Sequence, residues 1–296
     1  MRLKFLIVMP SHNEEQSLGF ALESLRRQTY KEFKVVVVND GSTDQTQNIA
    51  KDFSDKDSRF ELLSLPSSKH QPGAKVVRTF NKGLSQVNLE EYDIVCKFDA
   101  DIIFPDNYLS RVEKIYSSTP QAGMVSGIVK IPMGEFEPKD AFEFHAQSED
   151  WKFEAISSKN HVRGPIKSYR VSCFKAMGGL RETLGWDNID RMLAQKVGFE
   201  ILTEKDLWVK HLRPTAERYK NQKATKLGVY FYNIGLSLPL VLISATKASK
   251  HEGGVVSFFL ILKSFLRQSG ERKLSSEEIH YIRKLRWKEV FSKYKF

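Results

Sequence analysis

The first hundred residues alternate short apolar runs with longer amphipathic stretches. Residues 3–10, LKFLIVMP, form a β-rich run that stops at Pro10. NEEQSLGFALESLRRQTY follows, with acidic residues in its first turn and Leu18, Leu22 and Leu25 at helical spacing. FKVVVVND (33–40) is apolar almost to its end, as a strand covered on both faces of a parallel sheet would be. GSTDQTQNIAKDF turns into a second helix, FELLSL (60–65) reads as a third strand, GAKVVRTFNKGLSQV as a third helix and YDIVCKFDAD (92–101) as a fourth strand. This alternation predicts an α/β fold with a mainly parallel, Rossmann-like sheet flanked by helices. Ligands in such sheets bind outside the carboxyl ends of the strands. Three of those ends carry polar clusters, PSHNEE, NDGSTD and DADIIFPDN, which predicts one shared site.

The third cluster places Asp99 and Asp101 two residues apart, and in an extended chain such side chains share a face. Two like charges held together call for a cation between them, and an all-oxygen pair selects Mg²⁺ or Mn²⁺ over zinc. Neither a G-x-G-x-x-G dinucleotide fingerprint nor a G-x-x-x-x-G-K-[ST] phosphate loop occurs anywhere in the chain. The strand-end carboxylates suit a nucleotide sugar instead. Asp40 can accept from a base imide N–H, His12 offers a flat ring for stacking, and a metal on Asp99 and Asp101 would neutralise a diphosphate.

Charge divides the chain. Residues 213–296 hold 17 Lys+Arg against 6 Asp+Glu, a net of +11, so the formal +10 of the whole 296-residue chain resides there. The 41% hydrophobic and 28% charged composition is that of an ordinary globular protein. The only cysteines, Cys96 and Cys173, lie in apolar segments and are expected as buried thiols in a reducing compartment. The apolar run at the start is too short for a signal peptide, and no apolar stretch reaches the roughly 18 residues of a membrane span. A pI near 9.4 raises the question of nucleic acid, but no zinc spacing, RNP-like or helix-turn-helix signature accompanies the charge, so no nucleic-acid partner is expected.

IVMPSHNEE, VVVVNDGSTDQT and VCKFDADIIFPDN, followed by GGLRETLGWDNIDRMLAQKVGFE, resemble the family 2 glycosyltransferases with the GT-A fold over roughly residues 1–212. The resemblance implies a nucleotide-sugar half (1–105) and an acceptor half (106–212); the change in charge and pattern marks 213–296 as a basic, amphipathic helical extension. It puts Pro10, His12 and Glu14 at the nucleotide, although the family more often has tyrosine where His12 stands. Asp40 would read the base, Asp101 would be the principal metal ligand, and Asp99 would lie near the ribose or the metal's water shell. His211, after the acceptor helix, falls where a third metal or diphosphate ligand is found. Asp187 falls at the catalytic base. The family's usual Glu-Asp is Trp186-Asp187 here, with Asp190 one helical turn on as the alternative base. Lys75 and Arg78 either steady phosphate or form a solvated helix face. Arg163 and Arg170 would suit an anionic acceptor, and Gly178, Gly179 and Trp186 would lie on the acceptor side.

Beyond residue 212, KLGVYFYNIGLSLPLVLISATKASK and GGVVSFFLILKSFLRQ are apolar, helix-like stretches bordered by lysine and arginine. SSEEIHYIRKLRWKEVFSKYKF begins with a Ser N-cap and an acidic first turn. These helices either cap the catalytic domain or lie on an anionic membrane surface. The expected protein is an inverting, metal-dependent glycosyltransferase. It would use a UDP-, GDP- or dTDP-sugar donor, a glycan or lipid-linked acceptor and Mn²⁺ or Mg²⁺, at the inner face of the cell membrane in surface-polysaccharide synthesis. The alternatives are a catalytically inactive glycan- or membrane-binding module and a sugar nucleotidyltransferase. The latter would want a basic, Gly-rich loop where PSHNEE stands.

Overall fold

A computed structural model describes residues 2–67, 73–144, 150–154, 161–213, 222–251 and 253–292. The last four residues of the expected C-terminal helix lie outside these. The first half follows the sequence pattern: β1 (Phe5–Ser11), α1 (Leu18–Arg26), β2 (Phe33–Asp40), α2 (Thr46–Lys56), β3 (Phe60–Leu65), α3 (Ala74–Leu84) and β4 (Ile94–Phe98). Next come β5 (Ile102–Ile103), α4 (Tyr108–Ser118), β6 (Ala122–Pro132), β7 (Trp151–Phe153) and β8 (Ile166–Arg170). The acceptor-side elements are α5 (Val171–Ala176), α6 (Trp186–Lys196) and β9 (Glu200–His211). Four helices follow: α7 (Lys223–Asn233), α8 (Leu238–His251), α9 (Gly254–Leu266) and α10 (Ser276–Ser292).

Among the described residues nine strands form one sheet, in the order β3-β2-β1-β4-β8-β6-β9-β5, with β7 added beside β6. β1 pairs in parallel with β2 and β4, β2 with β3, and β6 with β9, whereas β8 runs antiparallel to both β4 and β6. The inverted β8 leaves β4, β6 and β9 pointing the same way. The carboxyl ends of β1, β2, β4 and β9 therefore share one edge with the start of β8.

Alternation along the strands sorts the core into two layers. Phe5, Ile7 and Met9 with Val35 and Val37 pack under α1, α2 and α4, where Leu22, Ala50 and Val112 face them. Leu6, Val8, Val36 and Val38 pack the other way, against Val77 and Phe80 of α3. That second cluster continues through Trp186 and Ile189 of α6 into Phe231, Val241, Ile261 and Ile282, so all four C-terminal helices have residues in the layer that carries α6. At the start of α10, Ser275 Oγ accepts from Glu278 N at 3.2 Å while the Glu278 carboxylate accepts from Ser275 N at 2.8 Å. This reciprocal cap is the one expected from the SSEE run. Cys96 and Cys173 are both buried free thiols.

Candidate active site

The first two strand ends interlock. The sharp turn after β1 puts Asn13 in the left-handed region (φ 55°), a conformation asparagine tolerates better than most residues. From there its N–H donates to Ser42 Oγ (3.0 Å), and its side-chain oxygen accepts from Thr43 N (2.9 Å). Glu15 N donates to Asp44 (3.1 Å) and Gln45 N donates back to Glu15 (3.1 Å). The PSHNEE and NDGSTD loops are thus one rigid unit. Behind it Asp40 is buried, its carboxylate accepting from Thr79 Oγ1 (3.1 Å) and paired with Lys75 (3.3 Å). His12 is exposed at the loop surface, and its Nδ1 lies 2.8 Å from the Asp40 carbonyl. Of the two α3 cations considered for phosphate, Lys75 holds Asp40, and Arg78 lies 3.6 Å from Glu182.

The third strand end departs from the sequence reading. Side-chain alternation operates, but on Lys97 and Asp99, which form an ion pair two residues apart. β4 ends at Phe98 and the chain turns through Ala100 and Asp101, so the extended geometry that would have put Asp99 and Asp101 on one face stops short of Asp101. Asp101, 9% exposed, instead faces His211 Nε2 (3.5 Å) and Arg213 Nε (3.3 Å). Asp99 thus has one cationic partner and Asp101 two, all three supplied by the protein.

Asp101 belongs to a chain of alternating charges. Arg163 pairs with Glu154 (2.7 Å), whose carboxylate also meets His211 Nδ1 (3.3 Å). His211 and Arg213 both meet Asp101, and Arg213 continues to Glu14, which also accepts from Ser17 Oγ (2.9 Å). Of the two arginines considered for an anionic acceptor, Arg163 pairs with Glu154, and Arg170 donates to the carbonyls of Tyr116, Thr119 and Ala122 around the end of α4. Burial would lower the His211 pKa, but hydrogen bonds to Asp101 and Glu154 and their charges outweigh it and raise the value from 6.5 to about 9. Burial likewise opposes ionisation of Asp101, yet its hydrogen bond with His211 and the nearby cations keep it below its ordinary value.

A group whose folded pKa is raised stabilises the fold fully below its unfolded value and loses that contribution as pH rises through the folded value. The metal-free protein is therefore expected to lose thermal stability between pH 6.5 and about 9 as His211 deprotonates. Scanning calorimetry in the presence of a chelator should show this slope in wild type and a flatter profile in His211→Asn. An unchanged slope in the variant would contradict the assignment.

The acceptor-side acids have separate environments. Asp190, 1% exposed, accepts two 2.7 Å bonds from Lys167 Nζ and one of 2.5 Å from Tyr169 OH. Asp187, in the first turn of α6, is only partly buried. A Cβ on Gly164 would lie 3.5 Å from Asp187 Cβ and 3.7 Å from its Oδ2, so the carboxylate rests over that glycine. The Gly164 carbonyl in turn accepts from Lys97 Nζ (3.5 Å), the partner of Asp99. Trp186 is buried with Lys97 and Lys167 5.1 and 5.3 Å from its ring centroid. Asp99 and Asp187 thus lie either side of Lys97 and Gly164, at the one edge where β4 ends and β8 is about to begin.

The loop before α6 is held by three other helices. Gly185 caps α6 with φ 89°, and a Cβ there would overlap the ring of Tyr230 on α7. Asn233 donates to the Leu184 carbonyl (3.1 Å), and Asn81 of α3 donates to Glu182. Gly178 and Gly179 adopt φ 76° and 70°, and Arg181 donates to both their carbonyls while pairing with Glu278 of α10 (2.7 Å). Their turn docks α10, a role that the Gly-Gly pair alone did not reveal. A cavity of about 330 Å³ opens beside Glu14, Ser17, Asp44 and Arg213, on the first loop.

A sequence profile of the family described as glycosyl transferase family 2 matches residues 6–178. The chain belongs to this family. Among characterised sequences, glycosyltransferase GlyA of Streptococcus pneumoniae is 32% identical over 111 residues, 38% of this chain and 15% of that protein. The succinoglycan biosynthesis protein ExoA of Rhizobium meliloti is 27% identical over 203 residues, 65% and 57% of the two chains. The poly-β-1,6-N-acetyl-D-glucosamine synthase of Staphylococcus epidermidis is 27% identical over 124 residues, 42% and 28%. The chain thus spans from 15% to 57% of the length of these relatives. Among solved structures, S. aureus TarS superposes with a TM-score of 0.60 at 20% identity over 95% of this chain and 53% of its own. The mannosyltransferase PcManGT of Pyrobaculum calidifontis, solved with GDP-Man and Mn²⁺, gives 0.57 at 18% identity over 100% and 82%. These likenesses show the fold, which is of the GT-A type.

For a divalent cation, the donor chemistry is one carboxylate oxygen of Asp101 and one imidazole nitrogen of His211, 3.5 Å apart. Among the described residues no three His, Cys, Asp or Glu side chains converge on one point. Two protein ligands still fit an ion of the Mg²⁺ or Mn²⁺ kind, which takes its remaining positions from water and substrate phosphate. Asp99 pairs with Lys97. Such an ion would have to displace the proton that His211 carries near neutral pH.

Proposed function

We propose that this chain is an inverting glycosyltransferase that moves a sugar from a nucleoside-diphosphate donor to a glycan or lipid-linked acceptor in cell-surface polysaccharide synthesis. The observation that carries this reading is the juxtaposition, through Lys97 and Gly164, of a donor-side carboxylate and a partly exposed acceptor-side carboxylate. Asp40, buried but hydrogen-bonded, would accept from the donor base, and the stitched first loop with His12 would form the wall beside it. Asp101 and His211 would hold Mn²⁺ or Mg²⁺, which when bound supplies positive charge against the growing charge of the leaving diphosphate.

Asp187 would take the proton of the attacking hydroxyl. Attack opposite the leaving group in a single displacement inverts the anomeric centre. Lys97 would keep Asp99 oriented at the donor, and Lys167 would fix the first turn of α6 by donating to the Asp187 carbonyl. An acceptor carried on a lipid would place this reaction at the inner face of the cell membrane. The structure of S. aureus TarS with UDP-GlcNAc and that of PcManGT with GDP-Man support a nucleotide-sugar donor for this fold.

The test is product analysis by NMR with UDP-, GDP- and dTDP-sugars and membrane glycolipid extracts. An anomeric coupling opposite in configuration to the donor's is expected. Retention of configuration would overturn the single-displacement reading, and turnover without any nucleotide sugar would overturn the donor class.

A further inference from the structure

The C-terminal helices leave one surface that the catalytic reading does not use. α9 turns one face inward, where Ile261 and Ser264 are buried. Ser264 Oγ donates to the Thr225 carbonyl of α7 (2.7 Å), and Gly228 of α7 lies so close that a Cβ would overlap the Ile261 carbonyl. The opposite face is open: Val255 is 72% exposed, Val256 70%, Phe259 61%, Leu260 44% and Leu266 63%. Helical spacing of about 100° per residue gathers these five with Lys263 and Arg267, both exposed, into an arc of about 140°. Residues 253–270 contain no Asp or Glu.

We infer that this face of α9 is a docking surface for an anionic lipid bilayer, with the helix lying in the plane of the interface. Three features select that occupant. First, the helix has 13 residues, about 20 Å at 1.5 Å per residue, too short to cross a membrane, and no described helix is long and apolar enough to do so. Second, large apolar side chains interleaved with cations on a single face give the composition of an interfacial helix, whose apolar residues enter the acyl boundary while lysine and arginine meet anionic headgroups. Third, the face offers no carboxylate to pair with Lys263 and Arg267, so two copies packed through it would bury four cations without compensating charge, whereas anionic headgroups supply it.

The same helix reaches the acceptor side by direct contacts. α9 packs on α7 at Gly228, and α7 presses Tyr230 against Gly185 and donates from Asn233 to the Leu184 carbonyl, immediately before Asp187. A bilayer bound to α9 would therefore set the height of the Asp187 loop above the headgroups. This second consequence rests on the proposed glycosyl transfer to a lipid-linked acceptor; the lipid contact itself does not.

The experiment is vesicle flotation of the full chain, with phosphatidylcholine alone and with phosphatidylcholine containing phosphatidylglycerol, beside sedimentation velocity without lipid. The wild type is expected to float with the anionic vesicles and to sediment as a species that does not depend on the exposed face. Lys263→Gln/Arg267→Gln should weaken binding to the anionic vesicles roughly 30-fold, about one kcal/mol for each cation lost. Phe259→Ser/Leu266→Ser should remove binding to the anionic vesicles while leaving the far-ultraviolet circular dichroism unchanged, because both side chains are exposed. Failure of the wild type to float would overturn the inference, as would variants that float like it. So would an oligomer that the Phe259/Leu266 variant converts to monomer, which would assign the face to self-association. Nucleotide binding measured on the same variants separates the two readings: flotation without nucleotide binding keeps the lipid surface and sinks the glycosyltransferase.

Discussion

Asp187→Asn is expected to lower the rate of sugar transfer by about 10²–10⁴-fold, the range for loss of a general base, while leaving donor binding and thermal stability near wild type. Asparagine keeps the size of the side chain and keeps the backbone carbonyl that Lys167 uses, so α6 retains its first turn. What it loses is the ability to take a proton from the acceptor hydroxyl. Steady-state kinetics with calorimetric donor affinity separates these effects. A rate within about threefold of wild type would remove Asp187 from the base role.

Three residues further along the same helix, the opposite outcome is expected. Asp190→Ala leaves the Lys167 ammonium, itself fully buried, without its carboxylate, and breaking such a pair from one side costs about 3–5 kcal/mol. For a chain of this size that is a fall of roughly 5–8 °C in the melting temperature. Replacing both members, as in Asp190→Leu/Lys167→Met, removes the uncompensated charge and should recover most of the loss. Thermal melts of the two variants check this. A melting temperature unchanged in Asp190→Ala, accompanied by a collapsed rate, would move the base from Asp187 to Asp190. The sequence named both acids as candidates. Burial and the hydrogen bonds to Lys167 and Tyr169 tell them apart.

Local signals carried the first half of the fold. Residues 33–40 and 60–65 were readable as strands because their apolar runs are bounded by turn residues on both sides, and β2 and β3 occupy those spans. β8 was not readable in the same way. IKSYR has no long apolar run, and its place between β4 and β6 depends on pairing with segments some 40 to 70 residues away. The site divides similarly. The polar clusters at the strand ends were visible, but their internal partners were not. Lys97 and Lys167 did leave a trace, each the single lysine of a short and largely buried strand. Glu154 left none, since the pairing with Arg163 and His211 arises from residues distant in sequence. The D-x-D spacing misled because a strand-alternation argument was carried past the residue where the strand stops.

On the proposed function, the shared strand edge is a nucleotide-sugar site assembled around Asp101. Its most direct test is calorimetric titration of UDP, GDP and dTDP, with and without Mn²⁺, into wild type and Asp101→Ala. One nucleotide is expected to bind in a metal-dependent way, and the variant, still folded, is expected to lose that dependence. No binding of any of the three to folded wild type, or equal metal-dependent binding by the variant, would contradict it.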